Sequence, residues 1–353
     1  MKIKIISKKL SGKGGTEIVI RNMMQQLPMY FKEANMSLTI IDSVPDKRWL
    51  QGMKNIKTRN TLTIPILEKV GSFTFLLRHL IFSTDEVILG TSPMIISVAS
   101  MIKRLFRKKY QVISWIHHSL NSEYLEGKQQ KILEADYHFV IASGIAEQFE
   151  ALQGHQKNVF TIYNPISFTS DSIESSTIPT FVSVGRLVKE PKNHMELLRA
   201  ATLLPKDKEW KIEFYGDGNY KEILEEFVNQ NQLTDRIEFK GWVQNPWEEI
   251  KEATALVLTS KYEGFGMVLG EAISRGLPCI SSNCPTGPSD IINEDNGFLY
   301  KLGNEKQLSE LMTLFINHKI EYPEIKQSIS KLYEDRYYER IKANLIQICS
   351  NKR

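Results

Sequence analysis

Two glutamates eight positions apart, Glu263 and Glu271, form the pattern in this chain with the most chemical content. They lie in the segment Lys261-Tyr-Glu-Gly-Phe-Gly-Met-Val-Leu-Gly-Glu271, after an apolar, β-branched run at 255–260. This order predicts a strand, a glycine loop and a helix that begins near Gly266. The first amides of such a helix have no partner within it, so they favour an anion. Two carboxylates beside a phosphate-binding helix end suit a sugar nucleotide, which has hydroxyl groups at both ends and a diphosphate between them.

Two cations follow an earlier strand-like run in the same way. The run Phe181-Val-Ser-Val-Gly185 leads directly into Arg186, and Lys192 comes six residues later. Because the strand ends at the glycine, both cations are predicted at the carboxyl edge of a sheet. Preorganised cations in a closed site stabilise negative charge that develops on a leaving group, such as a diphosphate.

A glycine-rich loop follows the first strand-like run, in the segment Ser11-Gly-Lys-Gly-Gly-Thr-Glu17. The adjacent Gly14 and Gly15 let the backbone approach a ligand closely and direct the next helix end towards negative charge. The spacing is not that of a dinucleotide-binding fingerprint, because Glu17 stands where the third glycine would be. A dinucleotide-binding site also needs an acidic residue after the second strand, and Asp42 stands at that position. The first half of the sequence therefore does not by itself exclude a dehydrogenase.

Composition and cysteine content indicate the class of protein. With 353 residues, 42% hydrophobic and 24% charged, the chain can form two domains, each with its own core. Three cysteines without metal spacing or a disulfide framework are typical of a reducing cytoplasm. The first ten residues are too polar for a signal peptide, and the apolar stretch 87–102 is interrupted and too short to span a bilayer. We therefore expect a cytoplasmic protein without a transmembrane helix.

Positive charge is concentrated in the first half of the chain. Residues 1–165 carry 22 Lys and Arg against 13 Asp and Glu, whereas residues 166–353 carry 23 against 28. The apolar segment 73–82 precedes a basic cluster at 103–109. We expect this half to contact the anionic inner face of the cell membrane or an anionic acceptor, the alternative being an internal helix followed by a solvated helix end. Nucleic acid is not expected, because no binding motif accompanies the charges.

Strand-like and helical runs alternate throughout the chain, which predicts mostly parallel sheets covered on both faces. Strands are predicted near 3–6, 37–42, 61–65, 86–90, 110–115, 137–141, 158–162, 180–185, 210–215, 236–240, 254–259, 278–281 and 297–300. Helices are predicted near 16–27, 68–82, 94–106, 123–134, 144–152, 193–203, 219–231, 246–252, 266–276 and 305–318.

A Ser- and Thr-rich segment at 166–178 interrupts this alternation and reads as a linker. It separates two doubly wound, Rossmann-like domains at 1–165 and 179–323, whose facing sheet ends would form a ligand cleft. A single long helical pattern covers residues 324–349 at the end of the chain.

These motifs together resemble family 4 of the retaining glycosyltransferases, which have the two-domain GT-B fold. Glu-x7-Glu after an apolar strand is the hallmark of that family, and Gly185-Arg186 with Lys192 fits it. One branch, the lipopolysaccharide core 1,6-galactosyltransferases, is similar over most of the chain. The strings that carry this likeness are Gly14-Gly-Thr-Glu17, Trp115-Ile-His-His-Ser-Leu120, Ala135-Asp-Tyr-His138, Ser143-Gly-Ile145 and Cys279-Ile-Ser-Ser-Asn-Cys-Pro-Thr-Gly-Pro-Ser-Asp290. The chain departs from the branch at Gly270, usually Leu, and at Gly266, usually Pro; both positions are expected in the donor loop, so the donor sugar can differ.

The resemblance also implies roles for individual residues. Glu263 would contact the hydroxyl groups of the donor sugar, Glu271 would bind the ribose, and Arg186 with Lys192 would hold the diphosphate. His117, favoured over His118, would lie near the reacting carbon unless it is a structural histidine. The helix at about 324–353 would pack back on the first domain. Further donor contacts are implied for Gly14, Gly15, Gly185, Gly216, Asp217, Gly241, Trp242, Val243, Gly264, Phe265, Gly266, Met267 and Val268.

The expected reaction is metal-independent transfer of a hexose, with galactose favoured, from a UDP-sugar to a hydroxyl group of a bacterial surface glycan such as lipopolysaccharide core or capsule. No cofactor beyond this co-substrate is expected, because no Asp-x-Asp motif is present and cations take the role of a metal. The leaving diphosphate would accept the proton of the acceptor in a same-face, retaining route. Two alternatives are a UDP-sugar epimerase of GT-B fold and a non-catalytic GT-B partner subunit.

Overall fold

The computed structural model describes residues 1–8, 10, 15–42, 44, 46–59, 65–318 and 320–350. The chain forms two compact units. The first unit combines Met1–Pro165 with Asp335–Arg353, and the second unit is Ile166–Glu334.

The described part of the first unit contains a seven-stranded parallel sheet of order β3-β2-β1-β4-β5-β6-β7. Most residues of the central strands are buried apolar side chains, as expected for a parallel sheet covered on both faces. The strands are β1 Lys2–Ser7, β2 Asn35–Ile40, β3 Ile56–Thr58, β4 Val87–Gly90, β5 Gln111–Ile116, β6 Tyr137–Val140 and β7 Val159–Thr161.

Helices connect these strands in the expected order. They are α1 Gly15–Tyr30, α2 Pro65–Ile81, α3 Pro93–Leu105, α4 Gln129–Leu133 and α5 Ser143–Gln153. The helix predicted at 123–134 is wrong in its first half, which forms a short 3-10 turn at Glu123–Leu125. Gly127, at φ +66°, separates that turn from α4, since a left-handed residue interrupts a right-handed helix. The strand predicted at 61–65 lies outside the described residues except for Pro65, which begins α2, and the sheet edge is formed by β3.

The described part of the second unit contains a six-stranded parallel sheet of order β10-β9-β8-β11-β12-β13. Its strands are β8 Thr180–Val184, β9 Lys211–Tyr215, β10 Ile237–Gly241, β11 Ala255–Leu258, β12 Cys279–Ser282 and β13 Gly297–Tyr300. Its helices are α6 His194–Ala201, α7 Lys221–Gln230, α8 Pro246–Glu249, α9 Met267–Ile273, α10 Pro288–Ile291 and α11 Glu305–Asn317. The strand order reverses between β8 and β11, and ligands of doubly wound folds bind at the carboxyl ends of the strands at such a switch point.

The segment predicted as a linker, 166–178, is fastened to the second unit rather than free. The Ile173 amide donates to the Arg275 carbonyl at 2.9 Å, and the Glu174 amide donates to the Lys251 carbonyl at 3.0 Å. Ile173 is also buried. Paired backbone groups and a buried side chain make this segment part of the packed domain.

The last helix begins later than the sequence pattern predicts. Residues Gln327–Leu332 form a 3-10 helix with Ile329 and Leu332 buried, and the Leu332 carbonyl accepts the Ile166 amide at 2.9 Å. Tyr333 is extended, so the α-helix α12 covers only Glu334–Ser350. Its buried face lies in the core of the first unit, where the Tyr338 ring stacks on Tyr30 at 5.1 Å between centroids.

Across the described residues, the helices are all too short or too polar to cross a bilayer.

Candidate active site

Two loops meet at the switch point of the second unit, one after β8 and one after β11. The Lys261 amide donates to the Pro191 carbonyl at 2.9 Å, and the Thr259 hydroxyl donates to the Lys192 carbonyl at 3.0 Å. These bonds join segments about 70 residues apart in the sequence, and they bring the predicted cation and carboxylate into reach of each other.

An ion pair between Lys192 and Glu263 lies at the centre of this site. The Lys192 ammonium donates to Oε1 of Glu263 at 2.7 Å, and the two side chains are 18% and 13% exposed. The Ser260 hydroxyl donates to the same Oε1 at 2.6 Å, whereas no described residue donates to Oε2. The Thr286 hydroxyl donates to the main-chain carbonyl of Glu263. The carboxylate is therefore fixed through one oxygen, and the other remains available as an acceptor.

Arg186 differs from Lys192 in its surroundings. Its side chain is exposed and has no hydrogen bond or ion pair with another described residue. Its backbone carbonyl accepts a bond from Nε2 of the buried His194 at 3.1 Å. Nδ1 of that histidine lies 3.3 Å from the Ser183 hydroxyl, and burial lowers the pKa of His194 to about 4. A neutral structural histidine thus supports the loop while the guanidinium stays open to an anion.

Gly216 has a packing role that the sequence does not predict. A Cβ at this position would lie 1.9 Å from the Gly185 carbonyl oxygen, and the Gly185 amide donates to the Tyr215 carbonyl at 3.0 Å. The loops after β8 and β9 can therefore pack this closely only because residue 216 is a glycine and has no side chain. The neighbouring Asp217 is exposed, and its carboxylate accepts the Gly218 amide at 2.8 Å.

The loop from Gly264 to Val268 has the predicted form. Gly266 precedes α9 with φ +88°, a left-handed conformation that favours glycine, and Met267 is the first helical residue. Phe265 is buried, so its side chain belongs to the core, while Gly264, Met267 and Val268 are half-buried. Gly287 explains part of the Cys284–Asp290 motif, because a Cβ there would lie 2.2 Å from the Phe265 carbonyl oxygen.

The prediction that Gly270 lies in the donor loop is wrong. Gly270 is buried within α9, where a Cβ would lie 2.5 Å from the Cδ1 atom of Ile166. The absence of a side chain lets the helix pack against the beginning of the second unit. This departure from the resembling branch therefore concerns packing.

Glu271 is bonded to a tryptophan that sequence reasoning missed. The indole N–H of Trp247 donates to Oε2 of Glu271 at 2.9 Å. The tryptophan that was predicted, Trp242, is 72% exposed and lies beyond the end of β10, beside Gly241 and the half-buried Val243. Nothing in local spacing distinguishes the two tryptophans, since the bond to Glu271 depends on how α8 packs against α9.

His117 lies at the carboxyl end of β5 in the first unit. Its Nε2 atom is buried without a hydrogen-bond partner among the described residues, and its ring centroid is 4.8 Å from that of Trp115. Burial, with a smaller contribution from His118, lowers the pKa of His117 to about 3. The imidazole is thus neutral near pH 7.

The predicted glycine loop of the first unit is described only in part. Gly14 lies outside the described residues, and Gly15 begins α1.

The fold and the site define a two-domain α/β protein whose second unit fixes an ion pair and a second carboxylate at its switch point. A family model described as glycosyl transferases group 1 matches residues 169–332, which lie within that unit.

Relatives that match along nearly the whole chain indicate a more specific class of glycosyltransferase. The chain is 31% identical to the lipopolysaccharide 1,6-galactosyltransferase of Escherichia coli (strain K12), over 100% of both chains. It is 30% identical to the enzyme of the same name from Salmonella typhimurium, over 96% of this chain and 97% of the relative. A solved structure of the lipopolysaccharide outer core galactosyltransferase WaaB in its apo form superposes with a TM-score of 0.88 at 28% identity, covering 98% and 99% of the two chains. The chain belongs to the group 1 glycosyltransferases.

The predicted fold class, α/β with two doubly wound, Rossmann-like domains of GT-B type, is confirmed by the two sheet orders and by the superposition on WaaB. The predicted activity class, a glycosyltransferase, is confirmed by the full-length relatives. The roles assigned to individual site residues remain predictions.

Proposed function

We propose that this glycosyltransferase moves galactose from UDP-galactose to a hydroxyl group of the lipopolysaccharide core. The main support is the end-to-end likeness to two enzymes whose names state that substrate class and linkage. The pairing of Lys192 with Glu263 at the switch point supports this proposal, because a cation and a fixed acceptor lie side by side there, and such a pair can bind the phosphate and hydroxyl groups of a sugar nucleotide.

Each group at this site has a proposed task. The free Oε2 of Glu263 accepts a hydrogen bond from a donor-sugar hydroxyl, and Lys192 holds that carboxylate in place. The ammonium retains further N–H bonds for phosphate oxygens. The open guanidinium of Arg186 binds the diphosphate, and its fork geometry suits phosphate oxygens.

The transfer is proposed to proceed with retention, as in family 4. The bond between the sugar's anomeric carbon and the diphosphate oxygen breaks, and the electron pair stays on the diphosphate. The acceptor hydroxyl attacks from the same face, and its proton passes to the leaving diphosphate. Cations replace a metal in stabilising the charge that develops on that group.

His117 is proposed to form a hydrogen bond with the donor sugar. Its unpartnered Nε2 and its neutral state support this assignment, because a neutral imidazole nitrogen can donate to or accept from a hydroxyl group.

The test incubates the purified protein with UDP-galactose, UDP-glucose and the two UDP-N-acetylhexosamines, in the presence of EDTA. Lipopolysaccharide with a truncated core serves as acceptor. Release of UDP together with an enlarged glycan, from UDP-galactose above the others, is the expected result. Conversion of one UDP-sugar into another without acceptor would indicate the epimerase, and no turnover of any sugar nucleotide would indicate a partner subunit.

We also propose that the enzyme works in the cytoplasm and contacts the inner face of the membrane through the first unit. Helices α2 and α3 run antiparallel to the strands, so their last residues lie at the edge formed by the amino ends of β4 and β5. Phe82, Leu105 and Phe106 are exposed there by 77%, 69% and 51%. Exposed cations accompany them: Arg78, Arg104, Arg107 and Lys109. Apolar side chains beside cations favour anionic lipid.

Co-sedimentation with vesicles tests this contact. The wild type is expected to bind vesicles that contain phosphatidylglycerol and to release them at high salt, while vesicles of phosphatidylcholine alone bind little. Replacing Leu105 and Phe106 with serine should abolish most binding. Leu203→Ser changes an exposed apolar residue of the second unit and should bind normally. Equal binding by all three proteins would refute the proposed surface.

A further inference from the structure

The contact between Trp247 and Glu271 is part of a larger arrangement. Trp247 lies in α8, whose first residue follows the capping Asn245, and the Asn245 side chain accepts the Trp247 amide at 3.3 Å. The guanidinium of Arg275 lies 5.2 Å from the centroid of the Trp247 ring. Arg275 also donates to the main-chain carbonyl of Glu271 at 2.9 Å. The indole is therefore held at its backbone and over its ring face, and its N–H is aimed at one carboxylate oxygen.

This arrangement resembles that at Glu263. In both glutamates the protein binds one carboxylate oxygen, Oε1 in Glu263 and Oε2 in Glu271, and no described residue donates to the other. A carboxylate oxygen has two lone pairs, so even the bonded oxygen of Glu271 can accept one more hydrogen bond. A carboxylate held in one plane presents two acceptors side by side, which matches two adjacent hydroxyl groups.

We propose that Trp247 is a positioning residue that fixes the carboxylate of Glu271 for recognition of a vicinal diol, the ribose of the nucleotide. This inference rests on the proposed function, because it takes the ribose of UDP as the ligand of Glu271. The indole can only donate, so it favours the ionised, acceptor state that a diol requires. The restraint removes rotational freedom before binding, which strengthens the interaction with the hydroxyl groups.

The test compares the binding of UDP and 2′,3′-dideoxy-UDP by calorimetry. The wild type is expected to bind UDP at least about tenfold more tightly, as hydrogen bonds to a charged group imply. Trp247→Phe should lose most of that preference while binding the dideoxy compound nearly as well as the wild type. Trp247→His keeps a ring N–H and should restore part of the preference. Glu271→Gln should bring the two affinities close together.

Trp210 offers a matched control within the same unit. Its indole donates to the Pro205 carbonyl at 3.0 Å, and the Arg236 guanidinium lies 4.7 Å from its ring centroid. Like Trp247, Trp210 has an indole N–H bond and a guanidinium over its ring, but it does not contact Glu271. Trp210→Phe therefore removes a comparable indole outside the candidate site. It should lower thermal stability and leave the preference for UDP over the dideoxy compound unchanged.

Three outcomes overturn the inference, and each is distinct from failure of the proposed function. If Trp247→Phe keeps the full preference while Glu271→Gln loses it, the indole has no positioning role. If Glu271→Gln keeps the preference for UDP over the dideoxy compound, the carboxylate does not bind the ribose hydroxyl groups. If Trp247→Phe and Trp210→Phe lower the preference equally, the effect is general destabilisation. Failure of the wild type to bind UDP would instead refute the proposed function.

Discussion

The two sheets have closely similar strand orders but very different carboxyl edges. In each unit the chain winds outwards in both directions from its first strand, β1 or β8, and the order reverses beside that strand. At this point the second unit carries the Lys192–Glu263 ion pair. The first unit has instead a neutral contact, in which the Thr91 hydroxyl donates to the Ser7 hydroxyl at 2.9 Å. Topology fixes where the loops emerge, and the residues at those positions decide whether the edge is charged.

The two edges differ in how they accommodate polar side chains that are largely removed from solvent. Nearly buried charges are costly unless they are paired and hydrogen-bonded, and the second unit satisfies Glu263 with an ammonium and a hydroxyl group. The first unit instead keeps His117 neutral by burial. An ion pair suits an anionic, phosphate-bearing ligand, whereas neutral groups such as His117 suit the hydroxyl groups of sugars.

The largest expected effect comes from removing the carboxylate at the charged edge. Glu263→Ala should lower kcat about 100-fold or more, as loss of a preorganised polar group in an active site does, because the donor sugar is no longer positioned. Binding of UDP should change little. Steady-state kinetics and calorimetry measure the two quantities, with Glu310→Ala, an exposed glutamate of α11, as control. Near-normal turnover would show that Glu263 has no role in the reaction.

The open cation of the same edge should give the next largest effect. Arg186→Ala is expected to lower kcat/KM by roughly 10- to 100-fold, because a charge-assisted bond to the diphosphate is lost. Lys189→Ala removes another exposed cation of the same loop and should leave kcat/KM nearly unchanged. Equal losses in both variants would indicate a general attraction of the loop for anions rather than a specific contact of Arg186.

Close packing of the loops gives a prediction about stability. Gly216→Ala places a Cβ 1.9 Å from the Gly185 carbonyl oxygen and should lower the free energy of unfolding by about 2–3 kcal/mol. Gly241→Ala is the control, because its Cβ would meet no atom within 4 Å and only its φ of +76° opposes the change, at about 1 kcal/mol. Thermal or urea unfolding measures both, and equal losses would contradict the packing explanation.

The smallest effect on catalysis is expected at His117 in the first unit. His117→Asn should lower kcat by about tenfold, because one hydrogen bond to a sugar hydroxyl weakens. The shape of the pH–rate profile between pH 5 and 8 should not change, since a group with a pKa of about 3 does not titrate there. A profile limb near pH 6.5 that is present in the wild type and absent in the variant would contradict a neutral His117.

The buried histidines also determine how stability depends on pH. Burial lowers the pKa values of His117, His138 and His194 to about 3, 4 and 4, below the value of about 6.5 expected in the unfolded chain. The unfolded state therefore takes up more protons as the pH falls below about 6.5. The contribution of these histidines to stability should be fully present above about pH 6.5 and be lost progressively as the pH falls from there to about 4, the pKa of His138 and His194 in the folded state. His138→Gln should flatten this decline in thermal unfolding.

Sequence patterns located most strands and the core of the site, and their failures have physical causes. Long apolar strands such as β1 and β5 are visible in composition alone. The three-residue β3 is too short to produce a pattern, and the segment 166–178 looks like a linker because its hydrogen bonds go to distant backbone groups. The long helix predicted from residue 324 begins only at Glu334, because Ile329 and Leu332 are buried in the second unit while α12 packs in the first.

The sequence by itself determined the alternation of strands and helices, the glycine before α9 and the charged residues that follow β8 and β11, because these depend on local spacing. Only the tertiary structure decided which partners those charges have. Lys192, Thr286 and Trp247 hold the two glutamates through contacts between segments that are distant in the sequence, and no local pattern encodes them. The free carboxylate oxygens of the site are thus a consequence of long-range packing.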